Sequence, residues 1–517
     1  MEDPITSPYD ILFEALTLIP IRHYLYALFL IWTVFVYNFV EFHFLGDAVL
    51  QYFRCRVNLI YNPHSPIYHG VASRCRTLHG RYVATPWLAT PHLQTCFLNF
   101  HGLPPGQISL FFVCLFVAVL DADPPNNQNE ITKEDTTPIA VVIPGLTSDS
   151  SSAYLKHLAY NTAKSGWNVV ISNHRGLGGV SVTSDCFYNA GWTEDVRVVL
   201  AHLQHDYPMA PLFAIGTSIG ANILVKYLGE EGEKTPLKGA VAICSPWDLL
   251  ISDRFICRKF KQRLYDRALT IGLQGYAQLH EPQYTRLANW EGIKKSRSIR
   301  DFDNHATCHV GKFETVDTFY RKSSSTQYVG NVAVPLLCIS ALDDPLCTKE
   351  AIPWEECRAN KNIVLATTNH GGHLAFFEGL TASSLWWVRA TNEFLGALSC
   401  SRYMHVQKIQ ESGSSGSGKQ EEPTINQSPY LKIAEDGLVA VVNLEENTPR
   451  SEEATQVLNQ RGPKVKDKRS FNVLCRQTKR SIWLLGYIGM VTGFPLVGML
   501  MSYLFRKKQR PITASKS

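Results

Sequence analysis

The 517-residue chain lacks the cysteine spacings from which disulfide frameworks and many zinc sites are built. Its 13 cysteines are scattered from Cys55 to Cys475 and never form a C-x-x-C pair. It also has a single N-x-S/T sequon, at Asn426 in a polar stretch. Free thiols and so few sequons favour a reducing compartment for the globular part of the chain. We therefore predict no disulfide framework, no metal and no other cofactor.

An excess of basic residues is also missing from most of the chain. The formal net charge is +5, from 50 Lys and Arg against 45 Asp and Glu. The stretch from Arg461 to the end holds 13 Lys and Arg and one acidic residue, Asp467, so it carries +12 and the rest of the chain carries −7. A protein that binds nucleic acid needs a basic face on its folded domain. The charge distribution therefore gives no support for a nucleic-acid partner.

Long apolar runs are few, and two of them resemble membrane segments. Residues 24–40 are interrupted only by Thr33 and Asn38 and would form about 25 Å of helix. Acidic residues upstream argue against a cleavable signal peptide, so a signal-anchor helix is favoured over an interfacial or buried helix. Residues 481–505 are uncharged and have basic residues at both ends, which fits a transmembrane helix. These segments predict attachment to a membrane bilayer, and the free thiols and scarce sequons predict that the globular domain faces the cytosol.

The composition divides the chain into four parts. Residues 1–50 form an N-terminal segment with the first candidate anchor, and residues 51–398 form one globular domain. Residues 399–470 are predicted to be a flexible linker, because a stretch so rich in Ser, Gly, Gln, Glu and Asn holds too little apolar surface for a core. Residues 471–517 form a basic C-terminal segment with the second candidate helix.

Inside the globular domain, short apolar runs alternate with helical patterns. Buried strands are predicted at residues 139–143, 169–172, 212–215, 240–243, 336–339 and 363–366, with helices at 154–165 and 193–204. Such a pattern predicts an α/β fold with a mostly parallel central sheet and helices on both faces. Residues 249–330 interrupt the alternation and predict a lid insertion over one end of the sheet. Residues 110–120 are too short to span a membrane and favour a buried strand or an irregular insertion.

The sharpest local motif is the segment Gly216-Thr217-Ser218-Ile219-Gly220, which follows a predicted strand and precedes a helical pattern. A serine hydroxyl is a poor nucleophile unless its oxygen is held clear of the backbone beside a base. A strained turn from strand to helix achieves this, and glycines are needed on either side because neighbouring backbone comes too close for a Cβ atom. The placement favours this interpretation over a Gly-rich turn with a capping serine.

A nucleophilic serine needs a base and an acid, and two candidates for each follow in the expected order. Asp343 and Asp344 come after the strand predicted at 336–339, and His370 and His373 come after the strand predicted at 363–366. Asp344 stands directly before a Pro-Leu pair and His373 directly after two glycines. We predict these two as the partners of Ser218, with Asp343 and His370 as alternatives.

The oxyanion that forms during attack on an ester needs two backbone N–H donors. One is expected from Ile219, directly after the serine. The other is expected from the loop at residues 144–148, Pro-Gly-Leu-Thr-Ser, where Leu146 is the predicted donor. The alternative is that this Pro-Gly pair is an ordinary turn.

Many short blocks along residues 91–398 occur in the order found in one known family. The blocks are His92 to Thr95, Pro144 to Thr147 with Tyr154, Asn173 to Gly176, Tyr188 to Asp195, Gly216 to Gly220, Ile299 to Asp303, Tyr320 and Arg321, Asp343 to Pro345, and Gly371 to His373. With them the chain resembles the YheT-like branch of the ABHD-type α/β-hydrolases, which includes plant embryogenesis-associated hydrolase-like proteins and animal membrane-anchored lipases.

The resemblance implies an α/β-hydrolase fold and the triad Ser218, Asp344 and His373. It implies a packing and loop-shaping role for Arg175 with Gly176, while His92, for which no partner can be named, is expected to be a buried structural histidine. One departure is that residues 106–124 lack the Asp-Gly-Gly turn usual in the family, so the first strands of the sheet are expected to differ.

Together these features predict a membrane-anchored serine hydrolase that cleaves carboxylic esters through an acyl-enzyme. The ester assignment rests on the triad and the resemblance. The assignment of acylglycerol or phospholipid acyl esters as substrates rests on the anchors, which place the site near acyl chains. Two alternatives remain open. One is a non-catalytic, membrane-tethered scaffold of the same fold, and the other is acyl transfer to an alcohol or a thiol instead of water.

Overall fold

The computed structural model describes residues 20–43, 55–85, 88, 90–100, 109–113, 117–121, 133–179, 182–379, 381–408, 432–433 and 439–440. The strands are β1 (Asn58–Tyr61), β2 (Ser109–Val113), β3 (Val117–Asp121), β4 (Ile139–Ile143), β5 (Asn168–Ser172), β6 (Leu212–Thr217), β7 (Gly239–Ile243), β8 (Leu336–Ala341), β9 (Ile363–Thr368), β10 (Phe377–Glu378), β11 (Ser384–Leu385), β12 (Lys432–Ile433) and β13 (Val439–Ala440).

The helices lie before and between these strands along the chain. They are α1 (Ile21–His43), α2 (Pro66–Gly70), α3 (Arg76–His79), α4 (Pro91–Phe100), α5 (Ala153–Lys164), α6 (Glu194–Asp206), α7 (Ile219–Glu231), α8 (Leu249–Ile256), α9 (Phe260–Leu279), α10 (Glu281–Leu287), α11 (Trp290–Lys295), α12 (Ile299–His305), α13 (Thr307–Gly311), α14 (Val316–Ser323), α15 (Trp354–Ala359) and α16 (Trp386–Ser399). Short 3-10 turns cover Ala72–Arg74, Gly232–Lys234, Thr326–Asn331 and Lys349–Ala351.

Within the described residues, β1 to β9 form one sheet in the order β1-β9-β8-β7-β6-β4-β5-β3-β2. The six strands predicted from buried apolar runs are β4 to β9, and all neighbouring pairs among them are parallel. The prediction of a mostly parallel α/β sheet is therefore confirmed. Both edges differ from that core, since β1 pairs antiparallel with β9, and β2 and β3 form an antiparallel hairpin against β5. The run at residues 110–120 thus supplies two edge strands in place of one.

Helices cover both faces of the sheet because alternate strand residues point to opposite sides. Every residue of β4 is buried. Ala140 and Val142 pack in a cluster with residues of α5 and α16 on one side, and Ile139, Val141 and Ile143 pack with residues of α6 and α7 on the other. Full burial of one such aliphatic side chain contributes about 1.5–3 kcal/mol to the stability of the fold. The two clusters therefore hold the strands, with their carboxyl ends, in place.

Helices α8 to α14, which we call the lid, follow β7 and precede β8, within the stretch predicted as an insertion. Side-chain caps stabilise their short segments, since the Asp248 carboxylate accepts the Ile251 N–H at the start of α8 and Ser298 and Asp301 form a reciprocal capping box on α12. Arg300 forms ion pairs with Asp253 and Asp317. These ion pairs connect α12 with α8 and α14.

The chain termini give a different picture from the predicted anchors and linker. A helix, α1, forms over the expected N-terminal anchor, but no helix of the described residues is both long enough and apolar enough to cross a membrane. The span expected at residues 24–40 is therefore not supported, and the one expected at 481–505 lies outside the described residues. The folded domain continues past residue 398, since the His405 N–H donates to the Lys238 carbonyl. Strands β12 and β13 pair within the predicted linker.

The turn between β6 and α7 depends on a close backbone contact. A Cβ atom on Gly220 would lie 2.3 Å from the carbonyl oxygens of both Ile143 and Pro144. Real Cβ atoms do not approach backbone oxygens so closely, so only glycine lets α7 begin beside the end of β4. The expectation that this position needs a glycine is confirmed.

We expect Gly220→Ala to lower the free energy of unfolding by about 3 kcal/mol, because the added methyl group must push α7 away from β4. Thermal unfolding of the purified protein measures this. Gly396→Ala in α16 is the matched control, since a Cβ atom there meets nothing within 4 Å, and the helix should gain up to about 1 kcal/mol. Equal melting temperatures for the two variants would contradict the proposed contact.

The lid buries a carboxyl group whose ionisation opposes folding. Asp303 on α12 accepts hydrogen bonds from Tyr320 Oη at 2.8 Å and Thr307 Oγ1 at 2.6 Å. Burial nevertheless raises the pKa of Asp303 from 3.8 to about 6. Because the pKa is higher in the folded state than in the unfolded chain, the folded state binds the proton more tightly, and Asp303 favours folding more as the pH falls from about 7 towards 4.

We therefore expect the stability difference between wild type and Asp303→Asn to change with pH. Relative to the variant, the wild type should gain about 1.4 kcal/mol between pH 7.5 and pH 5, because only the wild type takes up this proton. Urea unfolding at both pH values measures the change, and comparison with the variant cancels the effects of all other titrating groups. A difference that does not vary with pH would show that Asp303 does not titrate in this range.

Candidate active site

Ser218 lies at the turn between β6 and α7 in a conformation that few residues adopt. Its φ and ψ are 54° and −121°, a strained combination for a residue with a side chain. The Ser218 N–H donates to the Ile243 carbonyl on the neighbouring strand at 2.8 Å. The structure thus holds the serine at the carboxyl end of the sheet, half-buried, at the start of a helix.

Three side chains predicted as a triad lie in hydrogen-bond contact. His373 Nε2 is 2.9 Å from Ser218 Oγ, and His373 Nδ1 is 2.8 Å from Asp344 Oδ2. The other carboxylate oxygen of Asp344 accepts the N–H groups of Leu346 and Cys347 at 2.8 and 2.9 Å. Asp344 is only 5% exposed. One oxygen is therefore fixed by the backbone, which leaves the other directed at the imidazole.

The alternative residues form a separate pair beside this one. His370 Nδ1 lies 3.3 Å from Asp343 Oδ2, and Asp343 Oδ1 accepts the Gly372 N–H at 3.0 Å. Burial raises the pKa of Asp343, and the contact with His370 opposes that rise. Asp343 therefore binds the loop that carries His373, whereas Asp344 binds His373 itself.

The loop predicted to hold an oxyanion donor is fixed by two buried tyrosines. Tyr154 Oη accepts the Gly145 N–H at 3.0 Å and lies 3.3 Å from Thr217 Oγ1 beside the serine. Tyr188 Oη accepts the Thr147 N–H at 3.2 Å, and Thr147 has a φ of 56°. The amides on both sides of Leu146 therefore already have acceptors.

The two predicted donor amides are available for a ligand. Among the described residues, no acceptor takes the N–H of Leu146 or that of Ile219. The side chains of both residues pack in one apolar cluster against the lid. An N–H at the first position of a helix has no partner within its own helix, so Ile219 is suited to bind an anionic oxygen.

His174 also holds the loop at residues 144–148 in place. His174 Nε2 lies 2.9 Å from the Pro144 carbonyl oxygen, and its ring stacks on Tyr188 with the centroids 4.3 Å apart. Burial lowers the pKa of His174 to about 4, so the ring is neutral near pH 7 and donates from Nε2. Arg175 forms a two-oxygen ion pair with Asp195 and lies over the Trp192 ring. These contacts fit the loop-shaping role expected of this block.

Helix α4 positions the histidine loop, a role that sequence reasoning missed. Thr95 Oγ1 accepts the His373 N–H at 3.0 Å. A Cβ atom on Gly372, which has a φ of 59°, would lie 2.7 Å from both Thr95 Oγ1 and the Pro91 carbonyl. The signal was present as the block His92 to Thr95, but no pattern in the sequence connects that helix with a loop nearly 280 residues away.

His92 links α4 to the lid. Its Nδ1 lies 3.0 Å from Tyr265 Oη on α9, and the two rings stack. Burial lowers the pKa of His92 to about 4. A structural role was expected for this histidine, and its contact with Tyr265 is of that kind.

Within the described part of the chain, one group of three side chains could hold a metal ion. It comprises Cys244, Asp344 and His373, all buried, with one donor atom from each within 4.8 Å of the others. Two of these residues belong to the predicted triad, so the group lies inside the site described above.

Comparison with known proteins places this chain in a family. The model of the α/β hydrolase fold matches residues 138–380. Embryogenesis-associated protein EMB8 of Picea glauca is 35% identical over 325 residues, covering 59% of this chain and 70% of that protein. Phospholipase ABHD3 of Bos taurus is 31% identical, covering 57% of this chain and 69% of that protein. A monoacylglycerol lipase of Saccharomyces cerevisiae is 27% identical, covering 52% and 60%.

The matching solved structures have lower sequence identity. An esterase of Pyrococcus furiosus is 16% identical with a TM-score of 0.35, covering 57% of this chain and 88% of that one. Est1E of Butyrivibrio proteoclasticus is 14% identical with a TM-score of 0.37, covering 57% and 97%. The similarity to EMB8 and the ABHD3 phospholipases confirms the resemblance found in the sequence, and the chain belongs to this ABHD-type, EMB8-like group of the α/β-hydrolase family.

Proposed function

We propose that the protein is a serine hydrolase that cleaves carboxylic esters. The observation that carries this proposal is the continuous hydrogen-bonded chain from Ser218 Oγ through His373 to Asp344, with distances of 2.9 and 2.8 Å. Relatives named phospholipase, monoacylglycerol lipase and fatty acid ethyl ester synthase/esterase support the same class of reaction. An inactive scaffold has no need to keep these three groups aligned.

The reaction follows from the hydrogen bonds among these three side chains. His373 accepts the Ser218 proton at Nε2 while Oγ attacks the ester carbonyl carbon, and Asp344 stabilises the imidazolium through Nδ1. The N–H groups of Leu146 and Ile219 donate to the carbonyl oxygen as it becomes negative. His373 then gives the proton to the leaving alcohol. A water molecule, activated by His373 in turn, releases the acid from the acyl-enzyme.

The surroundings of the donor amides favour a long apolar acyl group. Ile219 and Leu146 pack in a cluster with Leu249, Val316 and Phe319 of the lid, and Leu146 also packs against a second cluster that includes Tyr276 on α9. An acyl chain bound at Ser218 would take over some of the apolar contacts that the residues of these clusters make with one another. Little apolar area would therefore become exposed to water. We propose acylglycerol or phospholipid acyl esters as substrates.

Membrane attachment is the second part of the proposal. Lipid esters are concentrated in bilayers, and the basic clusters beside residues 481–505 would bind an anionic leaflet with about 1 kcal/mol per Lys or Arg. A cytosolic position of the folded domain fits its free cysteines.

Acyl transfer to an alcohol would use the same acyl-enzyme, with an alcohol in place of the water molecule.

The two adjacent aspartates allow a matched test of the triad. We expect Asp344→Asn to lower kcat/KM for a p-nitrophenyl ester by about 10⁴-fold, because the amide cannot hold the required tautomer of His373. Asp343→Asn, one residue away and half-buried, should lower it by less than about 10-fold, because it only loosens the loop. Both proteins must first show wild-type melting temperatures within a few degrees. Equal losses for the two variants would overturn the assignment of Asp344.

The tyrosines that hold the donor loop give a second test. We expect Tyr154→Phe and Tyr188→Phe each to lower kcat about 10-fold with little change in KM. Loss of either hydroxyl misplaces the Leu146 N–H, and this weakens its hydrogen bond to the transition state more than its hydrogen bond to the bound substrate. Tyr227→Phe is the control, since its buried hydroxyl lies 3.1 Å from Thr235 Oγ1 and does not touch the loop. Wild-type kcat in both loop variants would exclude this role of the tyrosines.

A further inference from the structure

We infer that the triad doubles as an inhibitory binding site for Zn²⁺, completed by Cys244. This inference rests on the proposed function, because it assigns a way of regulating the same site. Cys244 directly follows β7, and its thiol, the Asp344 carboxylate and the His373 imidazole offer three donor atoms within 4.8 Å of one another. Thiolate, imidazole and carboxylate are the three ligand types that Zn²⁺ binds in proteins.

The geometry is close to that of a zinc site. Zinc bonds of about 2.0–2.3 Å in a tetrahedron place neighbouring ligand atoms about 3.3–3.8 Å apart. His373 Nδ1 and Asp344 Oδ2 are 2.8 Å apart, so the pair must separate by about half an ångström to admit the ion. The fourth position is left to a water molecule.

Neighbouring residues fix the backbone of Cys244. Cys244 has a φ of 50° and is 1% exposed. Its N–H donates to the Ile339 carbonyl at 2.8 Å, and its carbonyl accepts the Cys347 thiol at 3.3 Å. The backbone of Cys244 is therefore fixed on both sides, and its thiol lies within 4.8 Å of the other two donor atoms.

Charge balance favours a doubly charged ion at this position. The Cys244 thiol has to lose its proton to bind a metal ion. Zn²⁺ would displace that proton to solvent and bind the thiolate. Together with the Asp344 carboxylate, the thiolate neutralises the ion, so the buried site carries no net charge.

Binding of the ion would stop the reaction through the histidine. Once Zn²⁺ occupies Nδ1, the single ring proton of a neutral imidazole must sit on Nε2. Nε2 can then no longer accept the Ser218 proton, and the hydrogen bond from Nδ1 to Asp344 is lost. Mg²⁺ and Ca²⁺ prefer oxygen ligands and avoid thiolates, so they should not inhibit.

The test measures ester hydrolysis by the full-length protein against increasing ZnCl₂, with each variant's rate divided by its own rate without metal. We expect inhibition of the wild type that EDTA reverses, no inhibition by MgCl₂ or CaCl₂, and an inhibition constant at least 10-fold higher for Cys244→Ser. Cys400→Ser, which removes an exposed thiol, should be inhibited like the wild type. Equal inhibition constants for wild type and Cys244→Ser would overturn the proposal.

A second measurement does not depend on catalysis. Co²⁺ added to the Ser218→Ala protein should give the near-ultraviolet absorption band of a thiolate–cobalt bond, and Ser218→Ala/Cys244→Ser should lack it. No band in the first protein, or equal bands in both, would contradict the site. A band without any ester hydrolysis by the wild type would instead contradict the proposed function and leave the metal site standing.

Discussion

The contact between the start of α7 and the end of β4 is the constraint on which the rest of the site depends. Only a glycine at position 220 allows this contact, because a Cβ atom there would lie 2.3 Å from the carbonyl oxygens of Ile143 and Pro144. This approach brings the Ser218 hydroxyl, the Ile219 N–H and the loop after β4 to one point. The strained φ of Ser218, 54°, is a consequence of the same turn, and the buried strands on either side supply the stability that maintains it.

The histidine comes to this point on a loop that is held from outside the sheet. Thr95 on α4 accepts the His373 N–H, and Asp343 accepts the Gly372 N–H. Each contact fixes the backbone and leaves the imidazole free to bind Ser218 and Asp344. Supporting contacts of this kind limit the reorganisation needed when the substrate binds. The donor loop is fixed in the same manner, by tyrosines that bind the amides beside Leu146 and leave its own N–H open.

The sequence predicts the structure well where a local pattern of residues alone determines it. Strands β4 to β9 are apolar on both faces, a pattern typical of strands buried in a parallel sheet. The turn around Ser218 needs glycines at set positions. The antiparallel edge strand β1 has only one fully buried residue, Ile60, so its pattern is weak. The role of Thr95 could not be predicted, because it depends on tertiary contact with a remote loop. The choice between Asp343 and Asp344 needed the direction of each carboxylate, which adjacency in sequence cannot give.

The account depends on Ser218 being a nucleophile, and covalent labelling tests this most directly. The full-length protein would be treated with a fluorophosphonate probe, and the labelled peptide identified by mass spectrometry. The account predicts one adduct, on Ser218, that is absent from Ser218→Ala and strongly reduced in His373→Ala. No adduct on the wild type, or an adduct of equal yield on Ser218→Ala, would contradict it.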